Sequence, residues 1–344
     1  MICKHTLKEC MELYSKDILE LMMNEKGIPV ERDMTRKDMC EKLAAHMMQP
    51  EVLEVYFSCL FDDEAARLEY GIREDFEQDS FEGSYVIPML LCQAEYAFRF
   101  TEDTELFWLP CDVADAYLHM QSDAFTEKRK RRTYFLSCLM AVGAFYGQVP
   151  LKTIAPLMKM SEQEIVDEMN SLPRELNHYM VVDDMLYHRD LYLEDYGLAG
   201  IQNDVPYYIP DEEELDELGR WGYLPTRAEM RALVSYLITE RSMEVEAAEY
   251  AAMWIQKLTA SDGQLEDILE YLEDFGTLEK GETPKELIEL LQAFQRNTRK
   301  LCNRGFTDME LSGADPATIL KLNQPIIFAI PYEEHPQTPD VPFQ

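Results

Sequence analysis

Stretches of helical periodicity, opened by capping residues and closed by glycine or proline, run through most of this 344-residue chain and restrict it to a mainly α architecture. In 6-TLKECMELYSKDILELMMN-24, apolar side chains recur three and four apart behind Thr6 and Glu9, which together form a capping box; Gly27 and Pro29 stop the run. A second helix is expected from Thr35 to just before Pro50, and 51–72 reads as two short helices. Ser161 and Glu164 cap 161-SEQEIVDEMNSL-172 in the same way. From Thr226 to Leu322 the period is helical, with helices expected at 226–240, 243–259, 263–275 and 283–302 and breaks at Gly263, Gly276 and Gly281, which makes a small bundle.

Two places change period. Ala94, Tyr96, Phe98 and Phe100 alternate with other residues, 101-TEDT-104 is a turn, and 105-ELFWLP-110 is a second strand ending in a proline that opens a helix. Residues 179-YMVVDDMLYHRD-190 read as two short strands around Asp183 and Asp184. The segment 205-VPYYIPDEEELDEL-218 then echoes 105-ELFWLPCDVADAYL-118, an aromatic strand running through proline into a helix. Helices followed by a hairpin suggest winged-helix-like units, here two in tandem. The expected organisation is a helical module at 1–48, winged-helix-like units at 49–126 and 127–222, a helical bundle at 223–322 and a proline-rich tail at 323–344 whose 325-PIIFAIPY-332 portion is apolar enough to pack on the body.

Charge limits function. The net charge is −34. Residues 1–60 hold 8 basic and 11 acidic side chains, 61–126 hold 3 and 16, and 201–300 hold 10 and 22. Only 127–150 is positive, through Lys128, Arg129, Lys130, Arg131 and Arg132. Nucleic-acid affinity comes largely from neutralising phosphates, so a chain this acidic repels DNA at long range and can meet it only through a local patch. The five cations are the candidate contact with nucleic acid or with a partner. They stand at the expected start of an apolar helix, where the helix dipole disfavours cations, so pairing with the chain's own acids or those of a second subunit is preferred over phosphate. The eight cysteines form no CxxC pair and read as small buried hydrophobes, which implies neither a disulfide framework nor a zinc site. No apolar run reaches the ~18 residues of a membrane helix, and the first residues lack a signal peptide's apolar core; a soluble, cytoplasmic protein is expected.

Several motifs suggest catalysis and are better read otherwise. Residues 188-HRDL-191 and 274-DFG-276 match kinase motifs, but Asp195 stands where a kinase has asparagine, and no Gly-rich loop or strand lysine precedes them. Runs such as 211-DEEELDE-217 suit a solvated helix start rather than a dry carboxylate pair. No GxSxG occurs, and His119 and His188 are read as surface or packing residues. No catalytic, metal-binding or cofactor residue is therefore expected.

The first 48 residues resemble the SAP and Rho-N-terminal type of helical module, through the run from Leu7 to Gly27 and Ile28 and through Arg36, Lys37, Asp38 and Leu43. Members of that group bind DNA or RNA or serve as docking modules. The segment 296-RNTRKLCNRGFTDMEL-311 resembles a signature of uncharacterised Firmicutes-type bacterial proteins of the SEC-C-associated group, through Asn297, Thr298, Arg299, Asn303, Gly305, Thr307 and Leu311. Phe306 stands where the pattern often has histidine, and the group's cysteine-rich zinc motif is absent from this sequence. The resemblance implies helical and winged-helix regions and brings no activity.

The helix 161–172 is the expected second helix of a helix-turn-helix, the one that would enter the major groove. It offers Gln163 and Asn170 against Glu162, Glu164, Asp167 and Glu168. At ~4 Å from a phosphate each carboxylate costs on the order of 1 kcal/mol even at water's dielectric, which outweighs one or two amide contacts. The expectation is a non-enzymatic acidic interaction protein for a basic protein or nucleoprotein partner. The alternatives are a nucleic-acid-associated protein using 128–132, with Arg36, Lys37 and Lys42, and a DNA mimic that inhibits a DNA-binding enzyme.

Overall fold

The computed structural model describes residues 2–73, 88–101, 105–193, 198–202 and 205–312. The apolar 325–332 segment and the tail lie outside them, as does Asp195. The fold is mainly α with short hairpins, and the chain divides into two compact units: Met1–Val142 with Gln148–Tyr196, and Gly143–Gly147 with Gly197–Gln344.

In the first unit, β1 (Ile2–Cys3) runs parallel to a later strand, with Ile2 opposite Leu109. The expected helix 6–24 is two helices, α1 (Leu7–Met11) and α2 (Lys16–Glu25). The Thr6–Glu9 capping box forms, but the Ser15 side chain accepts from Ile18 N and starts a new helix where periodicity alone ran straight through. Gly27, at φ +67, closes α2 in the left-handed conformation that glycine tolerates, and Ile28 N donates to Met23 O at 2.8 Å. Thr35 and Asp38 form the capping box of α3 (Arg36–Met47). Leu7, Met11, Leu19, Met23, Met39 and Leu43 bury the faces these helices share.

Next come α4 (Pro50–Phe57), α5 (Asp62–Arg73), α6 (Met89–Gln93), β2 (Phe98–Thr101), β3 (Glu105–Pro110) and α7 (Cys111–Met120). The strand expected from Ala94 begins at Phe98. Tyr96 N and Ala97 N both donate to Leu91 O, and Glu95 takes a positive φ, so 94–97 form a turn with no donors left for a ladder. β2 and β3 pair antiparallel, giving the order β1-β3-β2. The Tyr96 hydroxyl donates to Met47 O (2.9 Å), and the Phe57 and Tyr117 rings lie 5.0 Å apart in the core.

α8 (Asp123–Ala141) starts five residues before the expected helix, capped by Ser122. The cations of 128–132 therefore sit in the helix body, and Asp123 occupies the first turn, where the dipole favours an acid. β4 (Gln148–Pro150), α9 (Leu151–Met158), α10 (Glu162–Asn170), β5 (Tyr179–Val182), β6 (Met185–His188) and α11 (Arg189–Leu193) complete the unit. Ser161 and Glu164 cap α10 reciprocally. Asp183 and Asp184, at φ 50° and 61°, make the tight turn of the hairpin, whose sheet runs β4-β6-β5.

The second unit holds α12 (Leu198–Ile201), α13 (Glu212–Trp221), α14 (Ala228–Arg241), α15 (Val245–Ala260), α16 (Leu265–Asp274), α17 (Lys285–Asn297) and α18 (Asp308–Ser312). Its core joins Leu233, Ala252, Ile255, Leu272, Leu291 and Phe294. Two expectations fail here. Residues 205–210 form no strand, because the Tyr208 N–H donates to Arg304 O in a turn rather than to a neighbouring strand. The last long helix stops at Asn297 instead of 302, where Thr298 turns extended and Arg299 is drawn into the interior.

Candidate interaction surfaces

All five residues of the basic run have a carboxylate of the chain within 4 Å. Lys128 meets Glu54 (2.7 Å) and Arg129 meets Asp62 (2.6 Å), while Arg129 also donates to Leu60 O (3.0 Å). Arg132 donates to Glu168 (2.8 Å) and to the Ser171 hydroxyl (2.6 Å). Lys130 and Arg131 are held more loosely, at 3.9 Å from Glu127 and 3.8 Å from Glu168. Helix phase sorts them: Arg129 and Arg132, three apart, share the buried face, whereas the side chains of Lys130 and Arg131 are 55% and 70% exposed. The outward pairs contribute roughly 0–1 kcal/mol each; the inward arginines depend on their partners, because an unpaired buried charge is strongly destabilising.

The acids of α10 are similarly engaged. Glu164 caps Ser161, whose hydrogen bonds hold its carboxyl below the ordinary range. Glu168 faces the two arginines, and Gln163 donates to Asp167 at 2.9 Å. In the N-terminal module Lys42 reaches Glu31 (3.1 Å) and Pro29 O (3.2 Å), and Lys8 reaches Glu41 (2.7 Å).

Two groups of buried or half-buried titratable side chains stand out. In the first unit the Tyr14 hydroxyl donates to Glu95 (2.5 Å), and Lys26 donates to Ala94 O (3.3 Å) while lying 5.4 Å over the Tyr56 ring. Burial lowers the Lys26 pKa and raises that of Glu95. In the second unit the 296–311 segment closes on itself. Arg299 donates through Nε to Glu214 (2.7 Å) and through Nη1 to Gly305 O (2.9 Å), with Glu310 at 3.2 Å. Its guanidinium lies 3.4 Å from the Tyr208 ring centroid; the Tyr208 hydroxyl donates to Glu214 (2.6 Å), and Arg227 also contacts Glu214. Gly305 sits at φ +88, and a Cβ there would come within 3.1–3.2 Å of Tyr146, Tyr208 and Phe145. Asn303 donates to Asp308 (2.7 Å), and Thr307 and Glu310 cap α18 reciprocally. Arg299, Asn303, Gly305 and Thr307 thus build an internal clasp that ties 205–211, α13 and α18 to the chain leaving α17, whereas Asn297 and Thr298 bond back into α17 and Leu311 is 42% exposed. Its carboxylates are engaged with arginines, a lysine, an amide and a phenol.

The bundle carries a cluster of exposed aromatic side chains. On α15 the buried positions are Ala248, Ala251, Ala252, Ile255 and Thr259. Tyr250 and Trp254 stand two residues to either side of Ala252, about 200° around the helix, and therefore face solvent, 51% and 39% exposed. Phe275, the C-cap residue of α16, is 39% exposed and stacks against Tyr250 with centroids 6.2 Å apart; Tyr250–Trp254 is also 6.2 Å, and Tyr271–Phe275 is 5.8 Å. Lys257 lies 5.2 Å over Trp254. This row of rings was missed in sequence. The available signal was the pair of aromatics four apart on α15, out of phase with the alanine face.

The kinase-like tripeptides fall in different units. His188, Arg189 and Asp190 lie at the junction of β6 and α11, and Gly276, at φ +77, ends α16 by donating to Glu273 O. His178 and His188 stack at 6.5 Å. Among the described residues no group of three or more His, Cys, Asp or Glu is placed to hold a metal ion, and no helix is long and apolar enough to cross a membrane. No protein-family model, no curated protein and no solved structure matches the chain.

Proposed function

We propose that the protein is a non-enzymatic, acidic interaction protein of the bacterial cytoplasm that docks a basic protein or a nucleoprotein. The observation that carries this reading is the disposition of charge. The one basic run is matched by the chain's own carboxylates, with Arg129 and Arg132 buried, whereas among the described residues most of the acidic side chains stay on the surface. The resulting field draws in a cationic partner quickly and weakens with salt. The order helix, strand, helix, helix, hairpin in α8–β6 supports a winged-helix-like module, and α1–α3 support a SAP or Rho-N-like one. The acidic face of α10 suits such a module to proteins rather than to DNA.

A second reading keeps nucleic acid, because Lys130 and Arg131 are exposed and loosely paired. Fluorescence anisotropy separates the two. Labelled duplex DNA, single-stranded RNA and an arginine-rich amphipathic peptide are titrated with protein at low salt and again at ~0.15 M, where the screening length falls to about 8 Å. The docking reading expects the peptide to bind with an affinity that falls with salt, and neither nucleic acid to bind. Micromolar DNA or RNA binding that disappears in K130E/R131E would replace it with the second.

A further inference from the structure

The acidic field states the sign of the partner but not where it lands. We propose that the aromatic face of Trp254, Tyr250, Phe275 and Tyr271 is the docking surface for a basic, amphipathic segment of a protein partner. The proposal rests on the docking role above and gives it a site.

Three observations converge on this face. First, the rings form a continuous row across two helices, and the three outermost are 39–51% exposed although each is large and apolar. Tyrosine and tryptophan are over-represented among residues that dominate binding energy, because they bring large area with few rotors. Second, α15 and α16 carry Glu246, Glu249, Glu266, Asp267, Glu270, Glu273 and Asp274 against the single cation Lys257. An apolar row on two helices whose charged residues are nearly all acidic is complementary to a segment with apolar anchors and flanking Lys or Arg. Third, the face already holds a cation on a ring: Lys257 over Trp254 at 5.2 Å is the contact a partner's Arg or Lys would repeat.

Charge also argues against the other occupants. The chain's own 313–344 segment brings Asp315, Glu333, Glu334 and Asp340 against Lys321, so docking it would set acid against acid. A second copy in a two-fold contact would oppose the same carboxylates to themselves.

The test uses the full chain and two labelled synthetic peptides. One has leucines on one helical face and arginines on the other; in its counterpart the arginines are glutamates. Wild type is expected to bind the arginine peptide and not the glutamate one. Y250A/W254A is expected to weaken binding about thirtyfold, equivalent to ~2 kcal/mol at 1.4 kcal/mol per tenfold, with its melting temperature little changed. E246K/D274K, which leaves the rings in place, is expected to weaken binding and flatten its salt dependence. If wild type binds the arginine peptide and both variants bind it equally well, the site is wrong while the docking role stands. If wild type does not bind it, both fall. Sedimentation showing a dimer that Y250A/W254A dissociates would assign the face to self-association. A shift in Trp emission when Ile326, Ile327 and Phe328 are replaced by serine in the full chain would assign it to the tail. Either result overturns the proposal.

Discussion

The basic run on α8 and the aromatic face on α15 and α16 differ in what they leave to solvent. In the run, five consecutive cations look like a binding patch, yet helix phase turns Arg129 and Arg132 inward onto Asp62 and Glu168, and the others also have acids within reach. On the bundle, phase works the other way: Tyr250 and Trp254 stand opposite the alanines that pack the core, so residues normally buried are presented outward. A charge run in sequence is therefore not a measure of free charge, and an aromatic pair is not a measure of core. Which face of the helix is covered decides both.

The sharpest way to break this comparison is to remove a carboxylate from an interior cluster. Glu214 serves both Arg299 and Arg227 and is buried with Arg299. Glu214→Ala is expected to destabilise the fold by about 3 kcal/mol, measured by chemical denaturation, because it removes the buried carboxylate from a buried guanidinium and leaves it only the more exposed Glu310. Loss below ~1 kcal/mol would mean the clasp is not a buried ion cluster. Glu168→Ala strips the inward Arg132 and is expected to cost about 3 kcal/mol. Lys130→Ala and Arg131→Ala, on the outward face of the same helix, are expected to change stability by less than ~1 kcal/mol each. Equal losses from Glu168→Ala and Arg131→Ala would erase the distinction between inward and outward cations.

The smallest effect is a pH dependence. Burial lowers the pKa of His188 below its ordinary 6.5; the neighbouring His178 lowers it further, and Asp190 opposes both. The unfolded chain then takes up the proton first. His188 contributes stability above about 6.5 that is lost as the pH falls from there toward the folded pKa. Denaturation midpoints measured downward from pH 7 are expected to fall more steeply in the wild type than in His188→Gln. An identical slope would remove His188 as the cause.

What could be read from the sequence was local. The capping pairs Thr6–Glu9 and Ser161–Glu164, the Thr35 cap and the Asp183–Asp184 turn each depend on residues within three positions, and all formed. The break at Ser15 was hidden because apolar periodicity continues across it. β1 was hidden because two residues carry no period. The aromatic stretch 205–209 looked like a strand, but its tyrosines pack on Arg299 and Arg304. The clasp joins Glu214 to Arg299 across 85 positions, a separation over which sequence pattern specifies no pairing. Phe275 was read within a kinase-like tripeptide, and Tyr250 and Trp254 within a helical period, so the face they form emerged only when two helices packed together.

The measurement that bears most directly on this account is one titration of the labelled arginine peptide against three proteins: wild type, K130E/R131E and Y250A/W254A. If the cations of α8 are internal and the open chemistry of the chain is acidic and aromatic, the first variant binds at least as tightly as wild type and the second binds about thirtyfold more weakly. The account is contradicted if the aromatic variant binds like wild type while reversing Lys130 and Arg131 alone alters the affinity.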